Sequence, residues 1–561
     1  MRIGLALLAF AASGPALAAH DLVIANGTVF DGTGAPGFKG WVAVDGDRIA
    51  AVGTGTPPAA ARTVDATGKA VAPGFVNMLS WATESLLVDG RGLSDLKQGV
   101  TLQVMGEGWT MGPLTAPMRR EMIAQQSNLK FEVPWTTLGE YLAHLEARGI
   151  APNVASFVGA TTVRIHELGE GDVQPDAAQL GRMRALVRQA MNEGALGVGS
   201  SLIYAPASYA KTPELVALAT ESARCGGSYI SHMRSEGKYI EQALDELIRI
   251  ARESGGPAEI YHLKLSGRAN WGKREAVLAK IAAAKAEGLD IRANMYVYPA
   301  GATGLDASMP TWVQAGGDAE WVKRLKDPAT RAKVLAEMRA EPEGWENLYR
   351  SAGDASRVMF IGFRNPKLRP LIGKTLAEVS AMRGTSPEDT IIDLVIEDES
   401  RVDTVYFLMS DENVEAFAAL PWVALGSDAG APAIEGAFLE SSDHPRAYGN
   451  VARFLGHYVR DRKVDSLESA VHRLSGLPAA RLGIEGRGTL APGRFADIVL
   501  FDPATIRDHA TFAKPQQYAT GVSDVWVNGA QVLKGGEPTG ATPGRFVKGA
   551  GAGRCGPASA S

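Results

Sequence analysis

The sequence is poor in the residues that build several familiar kinds of protein. Cysteine occurs only twice in 561 residues, at Cys225 and Cys555, which excludes a thiolate-rich metal site and a small disulfide scaffold. Past the N-terminus no stretch reaches the roughly 18 consecutive apolar residues of a membrane span. Basic blocks are missing too. The 57 Lys and Arg residues against 62 Asp and Glu give a net charge of −5, which argues against a nucleic-acid partner. What the chain does have is a 45% hydrophobic content and 64 glycines. The first supplies a large core, and the second suits tight turns and close backbone approaches. The length suggests roughly two to four domains.

The chain opens MRIGLALLAFAASGPALAAHD. One basic residue, Arg2, precedes an apolar run from Ile3 to Ala12, and Ala16-Leu17-Ala18 forms a small-x-small cleavage site. This is the pattern of a signal peptide cut after Ala18, so a periplasmic or secreted location is expected. Export would permit a disulfide. Yet Cys555 lies in a Gly/Ala/Ser-rich stretch, and residues 547–561 read as a flexible tail that leaves the cysteines unjoined.

From Asp21 to Val71, short alternating runs are punctuated by Gly, Asn and Asp, as in hairpins of a small sheet. The same texture returns in GRGTLAPGRFADIVLFDP and VSDVWVNGAQVLKGG. Residues 19–72 and 488–546 are therefore read as two parts of one β-sandwich. Between them, strand candidates alternate with helical patterns, as in a parallel α/β barrel over residues 73–487. That length exceeds a typical barrel, so an insertion is expected. The charged, Trp-containing segment 310–354 is read as a lid.

Two histidines stand out. His232 in SYISHMRSEG and His262 in EIYHLKLSG both end apolar runs and precede Gly-containing loops, as do Glu107 in VMGEGW and Asp428 in ALGSDAG. In a parallel barrel such positions open onto the catalytic face. Imidazoles with carboxylates are a zinc donor set. His144, His457 and His472 fall on helical patterns and His20, His166 and His509 in polar contexts, where packing or surface roles suffice.

The motifs VAPGFVNM, GSSLIYAPASYA, YISHMRSEG, IYHLKLSG, NMYVYPAGAT, ALGSDAG and DHPRAYG, in this order, resemble the N-acyl-D-amino-acid deacylase (D-aminoacylase) family of the amidohydrolase superfamily. The resemblance covers nearly the whole chain after the leader. It implies a (β/α)8 TIM-like barrel with a small β-sandwich from both termini, and metal-assisted hydrolysis of an N-acyl-D-amino acid. It also implies zinc on His232 and His262, Asp428 as general base, and Lys264, Arg446, Tyr204 and Tyr296 around the substrate carboxylate. Arg offers that group a bidentate fork and Lys a point charge.

Two positions depart from the pattern. Where the superfamily carries His-x-His, this chain has Leu79-Ser80-Trp81, and neither leucine nor tryptophan ligates zinc. Where D-aminoacylases place a cysteine ligand in a GNCG-like turn, this chain reads Gly106-Glu107-Gly108-Trp109, with the cysteine falling at Gly108. Some N-acetylglucosamine-6-phosphate deacetylases hold one metal on a glutamate and two histidines. A single-zinc site on Glu107, His232 and His262 is expected by analogy. The alternatives are a cyclic-amide or ester hydrolase on the same scaffold and a metal-free binding protein. The expected ligand is a small molecule with a free carboxylate.

Overall fold

The computed structural model describes residues 19–556; residues 1–18, where a cleavable signal peptide is expected, and residues 557–561 lie outside the described part. Both ends of the chain enter one nine-stranded sheet. The N-terminal part supplies His20–Val29, Phe38–Asp45, Arg48–Gly53, Ala60–Asp65 and Ala70–Pro73, and the C-terminal part supplies Ile498–Phe501, Val522–Val527, Ala530–Lys534 and Glu537–Pro538. The seam is the antiparallel pair Ala70–Pro73 with Ile498–Phe501. Successive strand side chains point to opposite faces. Leu22 and Ile24 accordingly pack with Val42, Val44, Ile498, Leu500 and Trp526 on one face, and Val23 and Ala25 with Ala43 on the other.

The middle of the chain forms eight parallel strands: β1 (Phe75–Asn77), β2 (Val100–Met105), β3 (Asn153–Ser156, resuming at Val158–Gly159), β4 (Gly197–Ser201), β5 (Ser228–His232), β6 (Ala258–Ile260), β7 (Ile291–Met295) and β8 (Val423–Leu425). Neighbours pair in this order from β1 to β8. The Met78 N–H donates to the Leu425 carbonyl and the Asp428 N–H to the Leu79 carbonyl, at 3.0 and 2.8 Å, which brings the last strand back to the first. Helices cover the outside. In Ile240–Ser254 the buried residues Ile240, Ala243, Leu244, Leu247, Ile248 and Ala251 recur at the spacing of one helical face. Among the described residues no helix is long and apolar enough to cross a membrane.

The insertion between β7 and β8 is larger than the segment 310–354. It starts at the strand Gly301–Gly304, which shares an antiparallel sheet with Val358–Gly362 and Asp403–Tyr406. Helices Asp318–Lys326, Pro328–Arg339 and Leu348–Ala352 belong to it, with Trp321 buried among them.

The C-terminal stretch is docked up to Gly556, contrary to the expectation of a flexible tail. The Gly549 N–H donates to the Gly194 carbonyl and the Gly553 N–H to the Asn192 carbonyl, both at 2.9 Å. Cys555 is joined to Cys225 by a disulfide, their Cα atoms 5.5 Å apart. The small residues that suggest mobility in the sequence are what permit this contact. A Cβ on Gly549 would lie 2.6 Å from the Ala195 carbonyl oxygen, and one on Gly551 2.9 Å from that of Cys225.

Candidate metal centre and substrate cavity

The C-terminal ends of the barrel strands converge on a cavity of about 740 Å3, lined by all eight side chains singled out from the sequence: Glu107, Tyr204, His232, His262, Lys264, Tyr296, Asp428 and Arg446. Glu107 follows β2 in a turn that requires glycine on both sides. Gly106 and Gly108 have φ of 110° and 74°, and a Cβ on Gly108 would lie 2.6 Å from the Ser201 Cβ. His262 and Asp428 themselves adopt positive φ, 37° and 52°. Such conformations cost non-glycine residues roughly 1–3 kcal/mol and cluster at functional sites.

Glu107 Oε1 lies 3.1 Å from His232 Nδ1 and 2.8 Å from His262 Nε2, with the two imidazoles nearly perpendicular and 4.5 Å apart. All three side chains are buried, and their donor atoms lie within 4.8 Å of one another. Burial alone would push the Glu107 carboxyl up, but the His262 charge and hydrogen bonds with both rings hold it well below the usual range. The other oxygen, Oε2, accepts from the Trp81 indole N–H at 2.8 Å. Trp81 therefore reaches the site as a partner of the glutamate.

Glu236, which sequence reasoning passed over, completes the surroundings. Its Oε1 is 2.9 Å from His262 Nδ1 and its Oε2 3.5 Å from His232 Nε2. Metal-bound histidines usually have a carboxylate on the ring nitrogen away from the ion, and Glu236 occupies that place for His262. Lys264 Nζ is 2.6 Å from Glu236 Oε1 and 2.7 Å from His262 Nδ1, so the lysine lines the cavity while paired to the protein. Burial and Lys264 push the His262 ring down, but Glu236 and Glu107 outweigh them and bring it to about 9. The residues fit a divalent ion. The donor set is of the zinc type, and His232 Nδ1 and His262 Nε2 converge on one buried carboxylate oxygen, Glu107 Oε1.

Across the cavity, Arg446 Nη1 lies 2.8 Å from Asp428 Oδ2. Burial raises the Asp428 carboxyl, and the Arg446 charge restrains the rise. The guanidinium sits over the Tyr296 ring at 4.5 Å, and its Nε is buried without a hydrogen-bond partner among the described residues. His444, also missed from the sequence, sets the start of the helix Arg446–Arg453: its Nδ1 accepts from the Arg446 N–H at 3.0 Å and its Nε2 pairs with the Ala300 carbonyl at 2.9 Å. A neutral ring protonated on Nε2 satisfies both bonds, and burial with the Arg446 charge holds it neutral. The Tyr204 ring packs edge-on to His232 at 5.3 Å. The signal for Glu236 and His444 lay in their own motifs, SHMRSEG and DHPR.

Comparison with known proteins agrees with this geometry. A family model described as amidohydrolase family matches residues 62–533. The D-aminoacylase of Alcaligenes xylosoxydans xylosoxydans is 34% identical over 531 residues, 94% of this chain and 97% of that protein. A solved D-aminoacylase structure, also 34% identical, superposes with a TM-score of 0.78 over 94% of this chain and all of its own. An N-acyl-D-glutamate deacylase from Bordetella bronchiseptica, solved with zinc and a phosphonate mimic of the tetrahedral intermediate, is 28% identical, with a TM-score of 0.77 over 95% of this chain and all of its own. With eight parallel strands in barrel order, a His-His-carboxylate cluster beyond their C-terminal ends and this likeness along its length, the chain belongs to the amidohydrolase family.

Proposed function

We propose that this chain is an exported, single-zinc hydrolase that removes the acyl group from N-acyl-D-amino acids or cleaves dipeptides containing a D-residue. The observation that carries the reading is the Glu107–His232–His262 cluster facing the Asp428–Arg446 pair across one cavity. A zinc ion, which Glu107, His232 and His262 would hold, would supply Lewis acidity for the scissile carbonyl and for the attacking water. Asp428 takes the proton from that water and returns it to the leaving amine as the C–N bond breaks. Its raised pKa, and the charges of Glu107 and His262 that act on it, suit both roles. Arg446 has donors to spare for the substrate α-carboxylate, since Nε is unpaired and Nη2 reaches only the Ala302 carbonyl at 3.4 Å. Tyr296, beneath the guanidinium, and Tyr204, beside His232, frame that position. Lys264 acts there by its charge while tied to Glu236.

Export is supported by the leader-like N-terminus and by the Cys225–Cys555 disulfide, which oxidising compartments preserve. The reading of one ion per chain is supported by the single cluster of this kind among the described residues. The test is metal content of the mature protein, followed by zinc-loaded turnover of paired N-acetyl-D- and N-acetyl-L-amino acids. One zinc per chain and hydrolysis confined to the D-series are expected. Absence of zinc after reconstitution, or equal rates on both series, would overturn the reading.

A further inference from the structure

The charge of the cavity is not uniform. At its floor Glu107, Glu236 and Asp428 face Lys264 and Arg446, so a bound divalent ion leaves one net positive charge, which one substrate carboxylate neutralises. The rest of the wall is acidic. Glu84, Glu170, Asp306, Asp318, Asp403 and Asp443 line it, with Arg401 as its basic side chain. Arg401 Nε is already committed to Asp306 Oδ2 at 3.0 Å. Asp306 is 3% exposed, and its Oδ1 has no hydrogen-bond partner among the described residues. Salt bridges and side-chain hydrogen bonds pair neither Glu84 nor Asp403 with any described residue; both are exposed on the cavity wall, and Arg401 is the cation whose charge reaches Asp403. Asp443 Oδ2 accepts from the Tyr448 hydroxyl at 3.1 Å.

A second feature of the same wall points to the missing counter-charge. The indoles of Trp81 and Trp109 line the cavity and are 36% and 39% exposed, large for tryptophans inside a binding site. Among the described residues no lysine or arginine stacks on either. Glu84 is three residues beyond Trp81 in the loop after β1. Exposed indole faces beside unpaired carboxylates form a surface that attracts cations and is poorly matched to neutral or anionic groups.

Resting on the hydrolase reading above, we propose that the acidic wall selects substrates with a second, positively charged end: an ammonium or guanidinium remote from the α-carboxylate, held between the carboxylates and the two indoles. That end is either the side chain of a basic D-amino acid or the free amino group of an aminoacyl-D-amino acid. In both, hydrolysis is the same reaction: water adds to the acyl carbon, the C–N bond breaks, and the amine leaves with the returned proton.

The experiment compares kcat/KM of the zinc-loaded protein on N-acetyl-D-leucine, N-acetyl-D-arginine, glycyl-D-leucine and N-acetyl-D-glutamate. One of the two cationic substrates should exceed N-acetyl-D-leucine by about tenfold or more, with N-acetyl-D-glutamate the slowest. N-acetyl-D-arginine in the lead places the charge on the D-side chain, and glycyl-D-leucine in the lead places it at the acyl end. In the double variant Glu84→Gln, Asp403→Asn, the ratio of the best cationic substrate to N-acetyl-D-leucine should fall at least about fivefold. Equal rates on neutral and cationic substrates, or a ratio that survives the double substitution, overturn the proposal and leave the hydrolase reading intact. Failure on all four refutes the hydrolase reading instead. Calorimetric binding then still decides the wall, because lysyl- and arginyl-containing D-compounds should bind at least about tenfold tighter than their leucine counterparts, and equal affinities overturn it.

Discussion

Substituting phenylalanine for Trp81 isolates one hydrogen bond, from the indole N–H to Glu107 Oε2 at 2.8 Å. The acceptor is a carboxylate 4% exposed, and hydrogen bonds to charged groups are worth about 1.5–3 kcal/mol. At about 1.4 kcal/mol per factor of ten, that corresponds to roughly 10- to 150-fold in any equilibrium that needs Glu107 in its present orientation. Phenylalanine retains an aromatic ring, and the indole is already partly open to the cavity, so the fold itself should lose little. Metal affinity should absorb the change. In competition with a chromophoric chelator, the zinc Kd of Trp81→Phe is expected to rise about 10- to 100-fold, the range for partners of metal ligands. The thermal midpoint of the metal-free protein should stay within about 2 °C, and turnover should recover at saturating zinc. A zinc Kd unchanged from the parent protein refutes the reasoning, because Glu107 would then be held without the indole.

Three further outcomes are expected. Asp428→Asn should keep its zinc, measured by elemental analysis, and lose about 10²- to 10⁴-fold in kcat, the usual worth of a positioned proton-transfer group; full turnover with bound metal would remove Asp428 from the mechanism. Zinc binding to the metal-free protein should tighten about tenfold per pH unit up to about 9 and flatten above it, because below its raised value near 9 the His262 ring carries a proton that the ion must displace. An affinity flat between pH 6 and 9 would show that His262 is not a ligand. Reduction of the Cys225–Cys555 bond should expose Lys548 and Arg554 to trypsin and destabilise the protein by about 2–4 kcal/mol; identical digestion patterns with and without reductant would show the tail to be held by its other contacts.

The frame of the site was readable because a parallel barrel puts catalytic side chains at strand ends, and His232, His262 and Asp428 each end an apolar run in the sequence. What sequence pattern missed was contact between distant segments. Glu236 looks like a loop residue until the turn after β5 folds it against His262 and Lys264. His444 looks like part of a helix start, and only the approach of Ala300 shows what its second nitrogen does. The tail was misread for a related reason: glycine permits both mobility and close packing, and composition does not distinguish them. The insertion was underestimated because its strands pair antiparallel among themselves, and short strands far apart in sequence give no local sign of a shared sheet.

The two departures from the family pattern meet at one hydrogen bond, from Trp81 to Glu107. A thiolate ligand presents a single donor atom, whereas a carboxylate in the same turn brings two oxygens into a buried place. Oε1 faces the two histidines. Oε2, left alone, would be an unpaired buried oxygen of an anion, which is costly. Trp81 provides the missing donor from the position where the superfamily has its second histidine of the His-x-His pair. Leu79, at the first of those positions, is 1% exposed and packs into the barrel interior with Val76, Val104 and Ala424, so it offers nothing to a cation. The residue at one such position, Trp81, thus supports the proposed ligand Glu107 through one indole N–H. The same loop then continues to Glu84, so the segment that bonds Glu107 also carries a carboxylate of the cavity wall.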